Sequence, residues 1–338
     1  MIQLLSGQTL SEIDSFIPAN TAEPHISRAR AILRKHPEVR QLVGPAPSTF
    51  LVLLALVAAQ TSVALSLQHA PLWMLALVAY TVGAVLNCGV LNMVHEASHG
   101  LIFRGRRWNR MAAYVANLGT FWPSVETFFR YHLPHHRYLG EYDRDTTIAR
   151  DWEARFVGRS ALRKVLWLVF FAVIYPFRVT HMNVGRRYNG RIVFNFVMQA
   201  AWWVLLYSIG GWRPLAYLAL SFYFHFGLHP LNAIALQEPL FVRHGQESYS
   251  YYGIANWITF NAGYHVEHHD MPSIPWSRLR RLRAIAPEFY EGRHAYHSWT
   301  GLILKFVRDR RWSLWARVMR PSNRVFAVST KQTSEAHN

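Results

Sequence analysis

Eight histidines fall in three short words of the sequence: HEASH, with His95 and His99; HLPHH, with His132, His135 and His136; and HVEHH, with His265, His268 and His269. The chain has 18 histidines in all, so nearly half of them sit in three five-residue words. Protonated rings repel one another, so crowding of this kind needs something that keeps them neutral. Residues three or four apart share one face of a helix. Each word therefore points its imidazoles one way, and neutral imidazole is a good ligand for iron, zinc or copper.

Eight converging donors are too many for one metal, and two metals with four or five ligands each fit the count. A hydrolytic zinc site needs three protein ligands and an open position. Soluble di-iron proteins rely mostly on carboxylates. A histidine-dominated pair of metals suits redox chemistry, namely O2 activation against an unactivated C–H bond. Glu96, Glu267 and Asp270 lie inside or beside the words and are expected as partners of ligating rings, because a bound imidazole usually donates its other N–H to a carboxylate or carbonyl. The isolated His25, His36, His69, His244 and His337 are expected to be solvated.

These words must be positioned by membrane elements. Half the residues are apolar and only 16% are charged, against about 25% in ordinary soluble domains. No Asp, Glu, Lys or Arg occurs from Gln41 to Val94, and Arg213 alone interrupts 192–237. About 20 apolar residues cross a bilayer core, so spans are predicted at about 49–67, 72–94, 192–212 and 215–236. The short turns QHAP and GGWRP make two hairpins. Net charge is +17, but the basic residues flank the spans, which favours a membrane protein with cytoplasmic basic segments over a nucleic-acid partner. The expectation is an all-α integral membrane protein, with about four transmembrane helices under a cytoplasmic helical cap that holds a His-rich di-metal centre.

The domain reading is an interfacial segment over 1–47, one membrane domain over 48–320 and a disordered tail over 321–338. The stretch KVLWLVFFAVIYPF, 164–177, is too short to cross comfortably and is placed at the interface. The N-terminus has no basic start or long apolar core, so no cleavable signal peptide is expected. The single cysteine, Cys88, allows no intramolecular disulfide.

The three boxes resemble those of the membrane fatty acid desaturase superfamily. NAGYHVEHHDMPSIP (261–275), HHRYLG (135–140) and SYSYYG (248–253) are similar to the sphingolipid Δ4-desaturase, or dihydroceramide desaturase, family. PHISRARAILRKHPEVRQL (24–42) and YHSWTGLILKFV (296–307) resemble that family's two ends. The resemblance implies a di-iron lipid desaturase with O2 as co-substrate and two electrons from an external donor. No His-Pro-Gly-Gly motif of cytochrome b5 type is present, so the donor is expected to be separate, cytochrome b5 or a ferredoxin. A basic face would attract such an acidic protein.

The resemblance also implies further ligation near His229-Pro230. A histidine inside an apolar span, as His225 and His229 are, is a functional candidate, although a hydrogen-bonded core histidine fits equally well. Three histidines of the family pattern are replaced here, by Ile234, Pro239 and Gln246. Three readings compete with sphingolipid desaturation: hydroxylation by the same ligand set, desaturation of ordinary phospholipid or thioester acyl chains, and a metal transporter. A transporter would carry its histidines along the spans, whereas these lie mostly outside them.

Overall fold

The computed structural model describes residues 14–19, 21–180, 190–237 and 246–321. Most of the expected tail (322–338), residues 1–13, His181, Pro239, His244 and His337 lie outside them. Fourteen α-helices are used below. They are α1 Pro24–Lys35, α2 Ser48–Ser66, α3 Leu72–Ser98, α4 Arg106–Asn117, α5 Val125–Arg137, α6 Asp151–Val157, α7 Ala161–Val169 and α8 Phe171–Thr180, followed by α9 Gly190–Gly210, α10 Trp212–Phe226, α11 Ala255–Ile258, α12 His265–Asp270, α13 Leu279–Ile285 and α14 Trp299–Arg308.

Among the described residues, three helices, α2, α3 and α9, are long and apolar enough to cross a membrane. The end of the fourth predicted span is corrected. Helix α10 has 15 residues and stops at Phe226, about 22 Å of helix at roughly 1.5 Å per residue. Gly227 breaks it, and residues 230–236 form a 3-10 helix opened by Pro230. The stretch expected at the interface, 164–177, is helical. It forms two helices broken at Phe170, and the second runs through Pro176 to Thr180. Leu162, Leu166, Phe170, Val173 and Phe177 make an exposed apolar stripe along both, spaced as one face of a helix.

Helix α3 carries a π-turn at Ala79–Gly83. Such a turn frees a backbone carbonyl, which apolar surroundings penalise unless a partner is found. Gln60 of α2 donates to Gly83 O at 3.5 Å, while Tyr217 of α10 donates to the Gln60 side-chain oxygen at 3.3 Å. Gly83 is a close approach, because a Cβ there would overlap Ser221 Oγ of α10.

Two apolar cores meet at the boxes. The first joins α2, α3, α4 and α5 through Leu53, Val90, Val94, Ala112 and Val125. The second joins α1, α12 and α13 through Ile32, Val266, Met271, Leu279 and Leu282. Boxes one and two therefore hang from the first core and box three from the second. A two-stranded parallel sheet, β1 Ile17–Pro18 with β2 Val318–Met319, ties the two ends of the described chain together, in the register Ile17 to Val318.

Candidate metal centre

Box one ends α3, so His95 and His99 lie one turn apart at its C-terminal end. Box two lies in the last turns of α5. Pro134 sits inside that helix without breaking it; it has no N–H to give Arg130 O. Box three is nearly the whole of α12, a helix of six residues. Met271 N–H closes it on Glu267 O, and the proline-bounded MPSIP turn follows.

The structure brings all eight box histidines into one set of ring contacts. His95 lies 4.4 Å from His268 and 4.5 Å from His132 between ring centroids. His99 lies 4.7 Å from both His136 and His268. The donor atoms of His95, His99, His132, His136 and His268 all lie within 4.8 Å of one another, close enough to surround one cation. The others adjoin this group, with His135 5.3 Å from His136 and His269 between the rest. The His269 ring is 4.2 Å from His136, 4.5 Å from His265 and 5.1 Å from His135.

Three of the crowded rings are held neutral. Desolvation comes first, then the field of neighbouring rings, and both push His132, His136 and His268 well below the ordinary histidine value. A neutral ring keeps a lone pair for a metal. The donor set therefore fits a histidine-bound metal: several imidazoles within reach of one point, unprotonated at neutral pH.

The three carboxylates expected to back the rings do other things. Glu96 accepts from Trp276 N–H at 3.1 Å and stands 3.9 Å from His95 Nδ1, too far for a hydrogen bond. Glu267 is fully buried and accepts from Ser250 Oγ at 2.6 Å and from the Tyr252 hydroxyl. Burial raises its carboxyl above the usual range, opposed by those two bonds. Asp270 accepts from Arg28 Nε at 2.7 Å and pairs with His25 Nδ1 at 2.7 Å.

That last pair corrects the expectation of a solvated His25. The residue is 3% exposed, and its other nitrogen meets Ser248 Oγ at 2.9 Å. Its Nδ1 also lies 2.9 Å from Arg28 Nη2, so the ring is enclosed by that guanidinium, the Asp270 carboxylate and the Ser248 hydroxyl. The His25 ring lies 5.0 Å from His269. Helix α1 is built to present it. Pro24 starts the helix, and the Glu23 carboxylate caps it by accepting from His25 N–H and Ile26 N–H.

A second carboxylate escaped sequence reading. Asp145 Oδ1 meets His135 Nδ1 at 2.8 Å, and the same side chain accepts from Gly140 N–H, Thr147 and Arg317. This is the arrangement looked for at Glu267, supplied from a turn ten residues after the ring it holds.

His229 stands apart from these contacts. It packs edge-on to Tyr80 at 4.7 Å, and its Nδ1 accepts from Leu231 N–H at 3.2 Å. Among the described residues it has no ring contact with a box histidine. Ile234 packs beside the apolar core of α14. Gln246 clamps the His294 backbone, accepting from its N–H at 3.0 Å and donating to its carbonyl at 2.6 Å.

Helical architecture, apolar spans and a histidine cluster at their ends define a membrane oxidoreductase, and the comparisons agree. The chain belongs to the fatty acid desaturase family, whose model matches residues 71–300. A second model, sphingolipid Delta4-desaturase, matches residues 14–48, the stretch that carries His25 and Arg28. The chain is 37% identical to sphingolipid delta(4)-desaturase DES1 of Drosophila melanogaster over 93% of its own length and 98% of the relative's. It is 37% identical to a DES1-like desaturase of Oryza sativa subsp. japonica, covering 90% and 92%. It is 35% identical to the sphingolipid delta(4)-desaturase/C4-monooxygenase DES2 of Rattus norvegicus, covering 88% and 92%.

Proposed function

We propose that this enzyme is an O2-dependent di-iron desaturase that places a C=C bond in a sphingolipid chain of dihydroceramide type. The observation that carries it is the set of converging neutral histidines at the ends of apolar helices. His95, His99, His132, His135, His136, His265, His268 and His269 would hold two iron ions. Bound there, iron supplies oxidation of an unactivated C–H bond at the expense of O2 and two external electrons. Overall, a CH2–CH2 unit, O2, two electrons and two protons give CH=CH and two waters.

The chain's own part is placement. Asp145 fixes the His135 tautomer by accepting its Nδ1–H, which leaves Nε2 for the metal. Asp270, held by Arg28 and His25, anchors the end of α12 and with it the aim of box three. No side chain acts as a nucleophile. The apolar spans orient the lipid, and a displacement of about 1 Å can cost roughly 100-fold in rate.

The reading extends to a multi-pass topology of two hairpins in a single domain over 48–320, with the centre on the cytoplasmic side, because the basic segments flank the box ends of the spans. An acidic electron carrier, cytochrome b5 or a ferredoxin, would meet the outer face of α1. Arg30, Arg34 and Arg40 are exposed there.

One relative's name also carries C4-monooxygenase, which favours hydroxylation as the second reading. Lipid mass spectrometry of a host with and without the protein decides. Desaturation appears as a sphingolipid lighter by two hydrogens, hydroxylation as one heavier by an oxygen, and no change in any lipid defeats both.

A further inference from the structure

The segment from Ile254 to Asn261 carries large apolar side chains that nothing among the described residues covers. Ile254 is 86% exposed, Trp257 71% and Ile258 48%. Scattered exposed apolar residues are ordinary, but three within five positions make a patch. The patch is tied to a membrane span. Asn92 Nδ2 of α3 donates to Thr259 O at 2.8 Å. The Phe260 ring covers Gly89, where a Cβ would come within 2.9 Å of it.

Those two contacts fix its depth. Asn92 is three residues before His95, about 4.5 Å along the helix axis. The segment therefore lies against the box end of a candidate span and beside the histidines. Its inner side is secured. Asn261 Nδ2 donates to Trp276 O at 2.9 Å, and Arg280 Nε donates to Asn261 Oδ1 at 3.1 Å. The same guanidinium sits 4.4 Å over the Trp257 ring. An aromatic ring with a cation above it suits the boundary between acyl chains and anionic headgroups.

We infer that Ile254–Asn261 is a lipid-contacting lip. Its apolar side chains seat in the interfacial layer of the bilayer, and lipid reaches the histidine centre past it. The occupant is the bilayer itself, and Arg280 meets its phosphates. The lip connects within a few residues to His265, so what touches it is next to box three. The inference rests on the lipid-enzyme reading only for the passage of substrate. Its placement in the bilayer stands independently.

A nitroxide on Trp257→Cys, in a chain whose native thiol is removed by Cys88→Ala, tests the placement in phosphatidylcholine nanodiscs. Collisions with O2 should exceed those with an aqueous nickel chelate, and the same label on Arg34→Cys should show the reverse. Equal nickel access at both positions overturns the lip. The triple change Ile254→Ser, Trp257→Ser and Ile258→Ser tests the passage. KM for a lipid presented in vesicles should rise several-fold with iron per chain unchanged, and an unchanged KM removes the delivery role. If the wild-type protein makes no lipid product at all, the function reading fails while the nitroxide result still decides the placement.

Discussion

His268 touches the rings of His95, His99, His132, His136 and His269, so no single box residue is more central. His268→Ala is expected to reduce activity to background and to remove at least one iron, read as iron per purified chain. Unchanged iron would end its assignment as a ligand. Asp145→Asn is subtler. The amide keeps the shape but loses the charge that orders His135 Nδ1–H, so metal affinity should fall roughly 10–100-fold. Competition with a graded chelator reads that directly. The boxes were legible because ligation imposes the spacing i, i+3, i+4 on a helix. Asp145 was not, because the turn that aims it obeys no period. His25 was not, because its partner lies 245 positions away.

At the scale of elements, the apolar runs gave three spans within a few residues of their helices and misplaced the end of α10. Hydropathy continues unbroken past Phe226, but the backbone does not. Pro230 disfavours helical geometry at His229, the residue before it, and that signal outweighs apolarity. The π-turn in α3 left no mark on hydropathy either. Its close fit to α10 makes a clear expectation. Gly83→Val must displace Ser221 and Tyr217, and overpacking of this kind costs about 1–3 kcal/mol. A lower melting temperature in detergent, with iron content kept, is the expected result. Helix α1, expected at the interface, packs one face on α12, and that buried face is part of the centre's support. His25→Ala leaves Asp270 short of one partner, an unsatisfied polar cost of about 1–3 kcal/mol. Stability should fall by that order in denaturant titrations, and His25→Gln, which can still donate to Asp270, should recover part of it.

For the whole molecule, the centre joins two cores that make no other claim on each other's histidines. Metal bound by boxes one and two from one core and box three from the other would act as a cross-link between them. Binding to the folded state alone adds RT ln(1 + [L]/Kd), roughly 4 kcal/mol at a thousandfold excess over Kd. Stripping iron with a chelator should therefore lower the unfolding temperature by several degrees and increase amide exchange in 265–270 before it does so in α2. The overall class, a helical membrane protein with histidines gathered at one end, could be read from composition and spacing. The seating of the boxes on two different apolar clusters could not, since it depends on which apolar faces meet.

The bond from His25 to Asp270 also sets a schedule. During synthesis the ribosome releases α1 early, and its partner carboxylate follows about 240 residues later. At about 5–20 residues per second that is a wait of roughly 10–50 s. Throughout it, the spans can enter the bilayer and boxes one and two can meet, while His25 and Arg28 have nothing to hold. On the proposed di-iron reading, full metal loading would come late, after translation has passed Asp270. Nascent chains arrested before residue 265 should emerge inserted in the membrane but without their full complement of metal.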